Sequence, residues 1–255
     1  MKRIKFSNKL TNDEKRFLYK LEREIESGDV YAMEEWATFF AYNHPELVTP
    51  EMVDKIVSYY ETAINEGVSR AMLNLGAIYY NGVVVDQDFE KAVKLYIMAA
   101  DSDDADTASK AIGNLGYCYY YGRSVAVNKE KAFAYFLKGA IKYNDPNCLY
   151  KLGDMYRHGD YVEKDEKLTY ILYRKAFDAN RLLGECCADI HKRLGECKLY
   201  GIGTMQDAVS ALKHLTFAKG YLYEKIHIKN DPFAEGVLSK VEKLICEAEE
   251  QLKEM

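Results

Sequence analysis

Cysteine and histidine are densest between residues 186 and 197, where Cys186, Cys187, His191 and Cys197 occur together. Cys187 and His191 are four residues apart, so a helix would present a thiolate and an imidazole on one face, donor types that zinc accepts. A closed zinc site needs four ligands, and no C-x-x-C or H-x-x-x-H pair completes the set. The stretch therefore reads as a buried thiol beside a surface histidine. An enzyme or metal-dependent protein using a Cys/His cluster near 186–197 stands as the alternative. Ser210 and Lys213 form an S-x-x-K match, but no S-D-N or K-T-G partner accompanies them. The acidic run DSDDADTAS at 101–109 lacks the glycine and terminal glutamate of a calcium-binding loop. Just ahead of a helix, such residues suit the helix dipole. His44, His158, His191, His214 and His227 are scattered, and spacing alone pairs none of them with a nucleophile. No catalytic residue, metal ligand or cofactor is expected.

Composition narrows the classes further. A net charge of −5 over 255 residues gives no electrostatic footprint for nucleic acid or an anionic membrane. The opening MKRIKFSNKLTNDEK has basic residues with no apolar run behind them, and no stretch is long and apolar enough to span a bilayer. A cytoplasmic location is expected, without nucleic-acid or membrane partners. The six cysteines are irregularly spaced and read as reduced, mostly buried thiols. The outlier is 22 tyrosines against one tryptophan, which suits helix packing or a recognition surface.

The elements that must position these residues come from a repeat. LGAIYYNG (75–82) recurs as LGYCYYYG (115–122), LGDMYRHG (152–159) and LGECKLYG (194–201). The first glycines, Gly76, Gly116, Gly153 and Gly195, are 40, 37 and 42 residues apart. Twelve residues after each stands a helix-capping residue: Asp88, Asn128, Asp165 and Asp207. Twenty after it come the bulky Tyr96, Phe136, Tyr173 and Leu215, and twenty-three after it the small Ala99, Gly139, Ala176 and Ala218. Each unit is thus a helix A ending at Gly82, Gly122, Gly159 or Gly201, a short loop, and a helix B. A mid-helix glycine costs roughly 1 kcal/mol relative to alanine. Its recurrence therefore predicts that Gly76 marks where helix A touches helix B of its own unit.

These features predict an all-α chain: a right-handed α-α superhelix of about five helix-pair repeats with capping helices at both ends. The expected organisation is a single solenoid domain over 1–255. It comprises an N-terminal capping helix at 11–27 opened by the capping box TNDE, and a degenerate repeat at 29–67. Repeats at 69–103, 105–143, 145–180 and 182–227 follow, then a C-terminal capping helix at 231–254 starting at Asp231-Pro232. In the degenerate copy Trp36-Ala37 replaces Leu-Gly, while Tyr60 and Ala63 keep the helix B positions, and Thr49-Pro50 is a helix start.

The pattern A-x-x-x-L-G-x-x-Y-x-x-G followed by V-x-x-D-x-x-K-A resembles the Sel1-like repeat, a relative of the tetratricopeptide repeat. Ala71, Leu75, Gly76, Tyr79, Gly82, Val85, Asp88, Lys91 and Ala92 match it position for position. Residues 111–132 match with Asn128 for the aspartate, and the later copies keep Leu-Gly and the loop glycine. The resemblance implies a non-enzymatic protein–protein interaction module, an adaptor or scaffold. Because some bacterial members act on host factors, it also allows an effector or inhibitor that binds a foreign target.

If helix A lines the concave side, its outward positions form columns for a protein or peptide partner. Two before the glycine stand Asn74, Asn114, Lys151 and Arg193, and one after it Ala77, Tyr117, Asp154 and Glu196. Four after it stand Tyr80, Tyr120, Arg157 and Leu199, and five after it Asn81, Tyr121, His158 and Tyr200. The expected partner-binding set is Asn74, Tyr80, Asn81, Asn114, Tyr117, Tyr120, Tyr121, Tyr150, Lys151, Asp154, Arg157 and Arg193. Against it stands a plainer reading, in which Lys151–Asp154 and Arg193–Glu196 pair i,i+3 on a solvated helix.

Overall fold

The computed structural model describes residues 9–180, 187–228 and 234–254, with the side chain of Cys187 outside that set. Among the described residues there are twelve α-helices and no strand. They are α1 (Asn12–Glu26), α2 (Val30–Thr38), α3 (Pro50–Asn65), α4 (Ser69–Asn81), α5 (Phe89–Ala100) and α6 (Ala105–Tyr121). α7 (Lys129–Tyr143), α8 (Pro146–His158), α9 (Glu166–Asn180), α10 (Cys187–Tyr200), α11 (Ala208–His227) and α12 (Ala234–Lys253) complete the set. The even-numbered helices from α2 to α10 are the A helices and the odd-numbered ones from α3 to α11 the B helices.

Helix boundaries follow from the residues that satisfy free backbone groups. Thr11 and Glu14 close a reciprocal capping box on α1. Asp88, Asn128, Asp165 and Asp207 accept from the backbone N–H three residues on, at 2.8–3.0 Å, and so start α5, α7, α9 and α11. At the other ends, Gly82, Gly122 and Gly159 hold φ of 65°, 72° and 73°, and Gly201 holds 74°. This left-handed turn, which strains any residue with a Cβ, stops each A helix where the repeat places its second glycine. α2 has no such glycine. The chain runs on through a π-helical turn at Phe39–Asn43 and a 3₁₀ turn at Pro45–Leu47 before α3 begins. Thr49 makes no side-chain cap there, so the start rests on Pro50 rather than on the Thr-Pro pair. The expected helix start at Asp231-Pro232 lies outside the described residues.

The first glycine of each repeat is a contact point, as its recurrence predicts. A Cβ on Gly76 would stand 2.8 Å from the Tyr96 ring, one on Gly153 2.5 Å from the Tyr173 ring, and one on Gly195 2.6 Å from Leu215. In each case the bulky B-helix residue sits directly on the backbone of helix A. The chain forms two compact units, Met1–Val127 and Asn128–Met255. The core of the first gathers Leu18, Leu21, Trp36, Ile56, Tyr60 and Leu75. The second holds one cluster around Leu149, Tyr173, Ile190 and Cys197 and another around Leu215, Leu222, Val241 and Leu244. No described helix is long and apolar enough to cross a membrane.

Candidate functional site

The A-helix columns carry the polar groups, and the structure uses them differently in the two units. In the second unit they join α8 to α10. Arg193 donates from Nε to Asp154 Oδ1 and from Nη2 to Oδ2, both at 2.7 Å, and its guanidinium lies 4.4 Å from the Tyr150 ring centroid. Asp154 also accepts from Tyr173 Oη at 2.8 Å and from Lys151 Nζ at 3.3 Å. Burial by itself would push the Asp154 carboxyl up. The hydrogen bonds and charge of Arg193, with Lys151 and Tyr173, outweigh it and hold the group at about 2. Beside this cluster Arg157 pairs with Glu196, which also accepts from Lys192 at 2.7 Å.

Lys151 and Asp154 do pair, but in a buried setting rather than on a solvated helix. Arg193 is drawn to Asp154, one A helix away, and not to Glu196. The i,i+3 spacing names the wrong partner because successive A helices lie side by side, and the bidentate geometry across them is better than any within the helix. Tyr150 is likewise buried.

The first unit repeats this linkage with weaker groups. Asn74 on α4 donates to Glu34 Oε1 at 2.7 Å and to Thr38 Oγ1 at 3.3 Å, and Arg70 clamps the same Glu34. Tyr60 Oη lies 2.8 Å from Thr38 Oγ1. By repeat position, Asn74–Thr38 corresponds to Arg193–Asp154, and Tyr60–Thr38 to Tyr173–Asp154. In these two repeats the residue at the position after the glycine is held by the B-helix tyrosine of its own repeat and by the next A helix.

The remaining candidates belong to the first unit: four tyrosines and two asparagines. Tyr117 stacks parallel to Tyr121, with centroids 6.3 Å apart and planes 5° from parallel, and Tyr120 meets Tyr121 edge-on at 4.9 Å. Tyr80 packs edge-on against Phe89 at 5.2 Å. Tyr80, Asn114, Tyr117 and Tyr120 are half-buried, whereas Asn81 and Tyr121 are exposed.

The chemistry-bearing stretches resolve into capping and packing. Asp104, in the acidic run, caps α6 through the N–H of Asp106 and the hydroxyl of Thr107. Ser210 gives its hydroxyl to Asp207 at 2.6 Å, within the cap of α11. Cys197 lies in the core, its thiol pushed up to about 12 by burial. His191 turns to His214, with Nδ1 to Nδ1 at 2.9 Å, and not to Cys197. Among the described residues, no three His, Cys, Asp or Glu side chains gather where they could share a metal ion; Cys186 and the side chain of Cys187 lie outside them. The histidine pair escaped sequence reasoning because its members sit 23 residues apart. A signal was present in the repeat columns: the corresponding pairs are Met72/Leu95, Ile112/Tyr135 and Leu149/Leu172. Both columns turn to histidine in the same copy.

A family model described as Sel1 repeat matches residues 69–104, 109–143, 146–180 and 191–219, more than half of the chain. The degenerate copy at 29–67 falls outside these matches. Two solved structures are similar. One is a protective antigen present in uropathogenic Escherichia coli strains, displaying an SLR fold. It is 22% identical with a TM-score of 0.54, and the match covers 92% of this chain and 56% of that one. The other is a Sel1 repeat protein from Oxalobacter formigenes, 18% identical with a TM-score of 0.62, covering 91% and 99%. The chain therefore spans little more than half the length of the first and nearly all of the second. At these identities the likeness is one of fold. No curated protein matches the chain.

Proposed function

Since the chain belongs to the Sel1 repeat family, whose members generally mediate protein–protein interaction, we propose that it is a non-enzymatic adaptor or scaffold of the cytoplasm. It holds a protein or peptide partner on the A-helix face of its first unit. The observation that carries this reading is the division of the columns. In the second unit the charged positions Lys151, Asp154, Arg157 and Arg193 are engaged in bonds within and between α8 and α10. In the first unit the positions near the ends of α4 and α6 hold tyrosine and asparagine, with Asn81 and Tyr121 exposed. Phenol rings offer wide contact area at low entropy cost, and amides adapt to main-chain donors and acceptors of an extended segment. Asn74 and Asn114 flank this surface, although Asn74 also serves the link to α2.

Affinity capture with the native chain beside an Asn81→Ala/Tyr121→Ala variant tests the reading. Both side chains are exposed, so the fold should tolerate their loss. A specific partner should be retained roughly tenfold less by the variant. Equal retention would place the interaction elsewhere.

A further inference from the structure

The last repeat carries a feature that its neighbours lack. His191 on α10 and His214 on α11 face each other with Nδ1 atoms 2.9 Å apart. The corresponding positions of the preceding repeat are Leu149 and Leu172, which lie in one apolar cluster. Where the preceding repeat has two hydrocarbon side chains in one cluster, this repeat has two ring nitrogens within hydrogen-bond distance. Aromatic rings surround the pair: Phe177 stands edge-on to both, at 5.4 and 5.9 Å, and Phe217 and Tyr221 lie 5.2 and 6.0 Å from His191.

We propose that the His191–His214 bond is an acid-sensitive fastening between α10 and α11, closed at neutral pH and opened by protonation of both rings.

The bond requires one Nδ1 to carry its proton and the other to be bare. A first added proton can settle on a distal Nε2 and leave the bond in place, but it puts a charge among aromatic rings. The charges that act most on His214 are positive: Arg174 from α9, Lys198 from α10 and Lys213 from α11 itself. Desolvation is the cause acting on His191, and the ring facing it from α11 besides His214 and Phe217 is the Tyr221 phenol. A second proton sets two Nδ1–H donors against each other and breaks the contact. Burial first, then His191 and the three cations, hold His214 at about 4, and burial lowers His191 as well. Both rings are therefore easier to protonate in the unfolded chain. Their contribution to stability is present above the ordinary histidine value of 6.5 and is lost as pH falls from there toward 4.

The test compares the full chain with a His191→Leu/His214→Leu variant, which restores the pair found one repeat earlier. Thermal unfolding of each is followed from pH 7.5 to 4.5. The native chain should lose roughly 3–6 °C more than the variant across that range, with most of the difference appearing below pH 6.5. Equal slopes would overturn the proposal. Ring-nitrogen NMR of the native chain gives a second reading that needs no variant to fold. Two histidines that protonate below the ordinary value of 6.5, one of them with a hydrogen-bonded Nδ1–H, support the fastening. Ordinary titration of all five histidines near 6.5 contradicts it.

Discussion

Arg193 on α10 and Asp154 on α8 meet through two parallel hydrogen bonds of 2.7 Å, with the Tyr173 hydroxyl and the Lys151 ammonium on the same carboxylate. The pair ties one A helix to the next, and the tyrosine ties in the B helix. Three helices are therefore fixed around one carboxylate that is almost closed off from water. The first unit builds the same junction from Thr38, Asn74 and Tyr60. A position that looks like one column of a binding surface is, in both units, a junction between repeats.

Removing one member of the second-unit junction should be costly. Asp154→Ala leaves the guanidinium of Arg193 without its main partner and should lower stability by roughly 3–5 kcal/mol. An Asp154→Leu/Arg193→Met double variant removes both members of the pair, although Lys151 and the Tyr173 hydroxyl lose their acceptor too, and should cost less than the sum of the two single losses. Urea denaturation of the variants measures this, and additive losses would show that the two residues do not act as a pair.

The same carboxylate predicts a second acid transition, separate from that of the histidines. Asp154 is held at about 2 against an unperturbed 3.8. Its contribution is fully present above 3.8 and is lost as pH falls through 3.8 toward 2. Unfolding monitored by circular dichroism between pH 4.5 and 2 should steepen in this window. In Asp154→Asn that part of the slope should vanish, the protein being weaker than the native chain above pH 4 and converging with it toward pH 2.

Glycines in helices should separate into two kinds. Gly153→Ala drives a methyl against the Tyr173 ring, 2.5 Å away, with the Thr169 carbonyl at 3.4 Å, and should cost roughly 1–3 kcal/mol. Gly220→Ala in α11 meets nothing within 4 Å and should stabilise by up to about 1 kcal/mol. Chemical denaturation midpoints moving in the same direction for both would contradict this division.

Much of the fold was legible because the repeat writes each local rule several times. The Leu-Gly contact, the capping residue twelve positions on and the left-handed glycine at the end of helix A are local, and they recur in register. The end of α2 was not legible, since without a terminal glycine nothing in the sequence distinguishes a π-helical turn from continued helix. The candidate site was legible only as columns. Which member of a column bonds across repeats depends on the neighbouring A helix, so spacing along α10 offers Glu196 as a partner for Arg193 and cannot point to Asp154. Of the three tyrosines at the bulky B-helix position, two coincide with a hydroxyl or carboxylate at the position after the glycine, Tyr60 with Thr38 and Tyr173 with Asp154, whereas Tyr96 shares its repeat with Ala77. Where the B-helix residue is Phe136 or Leu215, no such bond can form. That correlation needs the fold before it can be noticed.

The A-helix face of the first unit is the one proposed for recognition, and the most direct test is to ask which face touches a partner. A photo-crosslinking amino acid placed at Tyr121, on the A-helix side, is compared with the same group at Ile97, exposed on the B helix of the first unit. Irradiation in a native lysate should give a discrete protein adduct from position 121 and little or none from position 97. An adduct from position 97 alone, or equal labelling from both, would contradict the A-helix assignment.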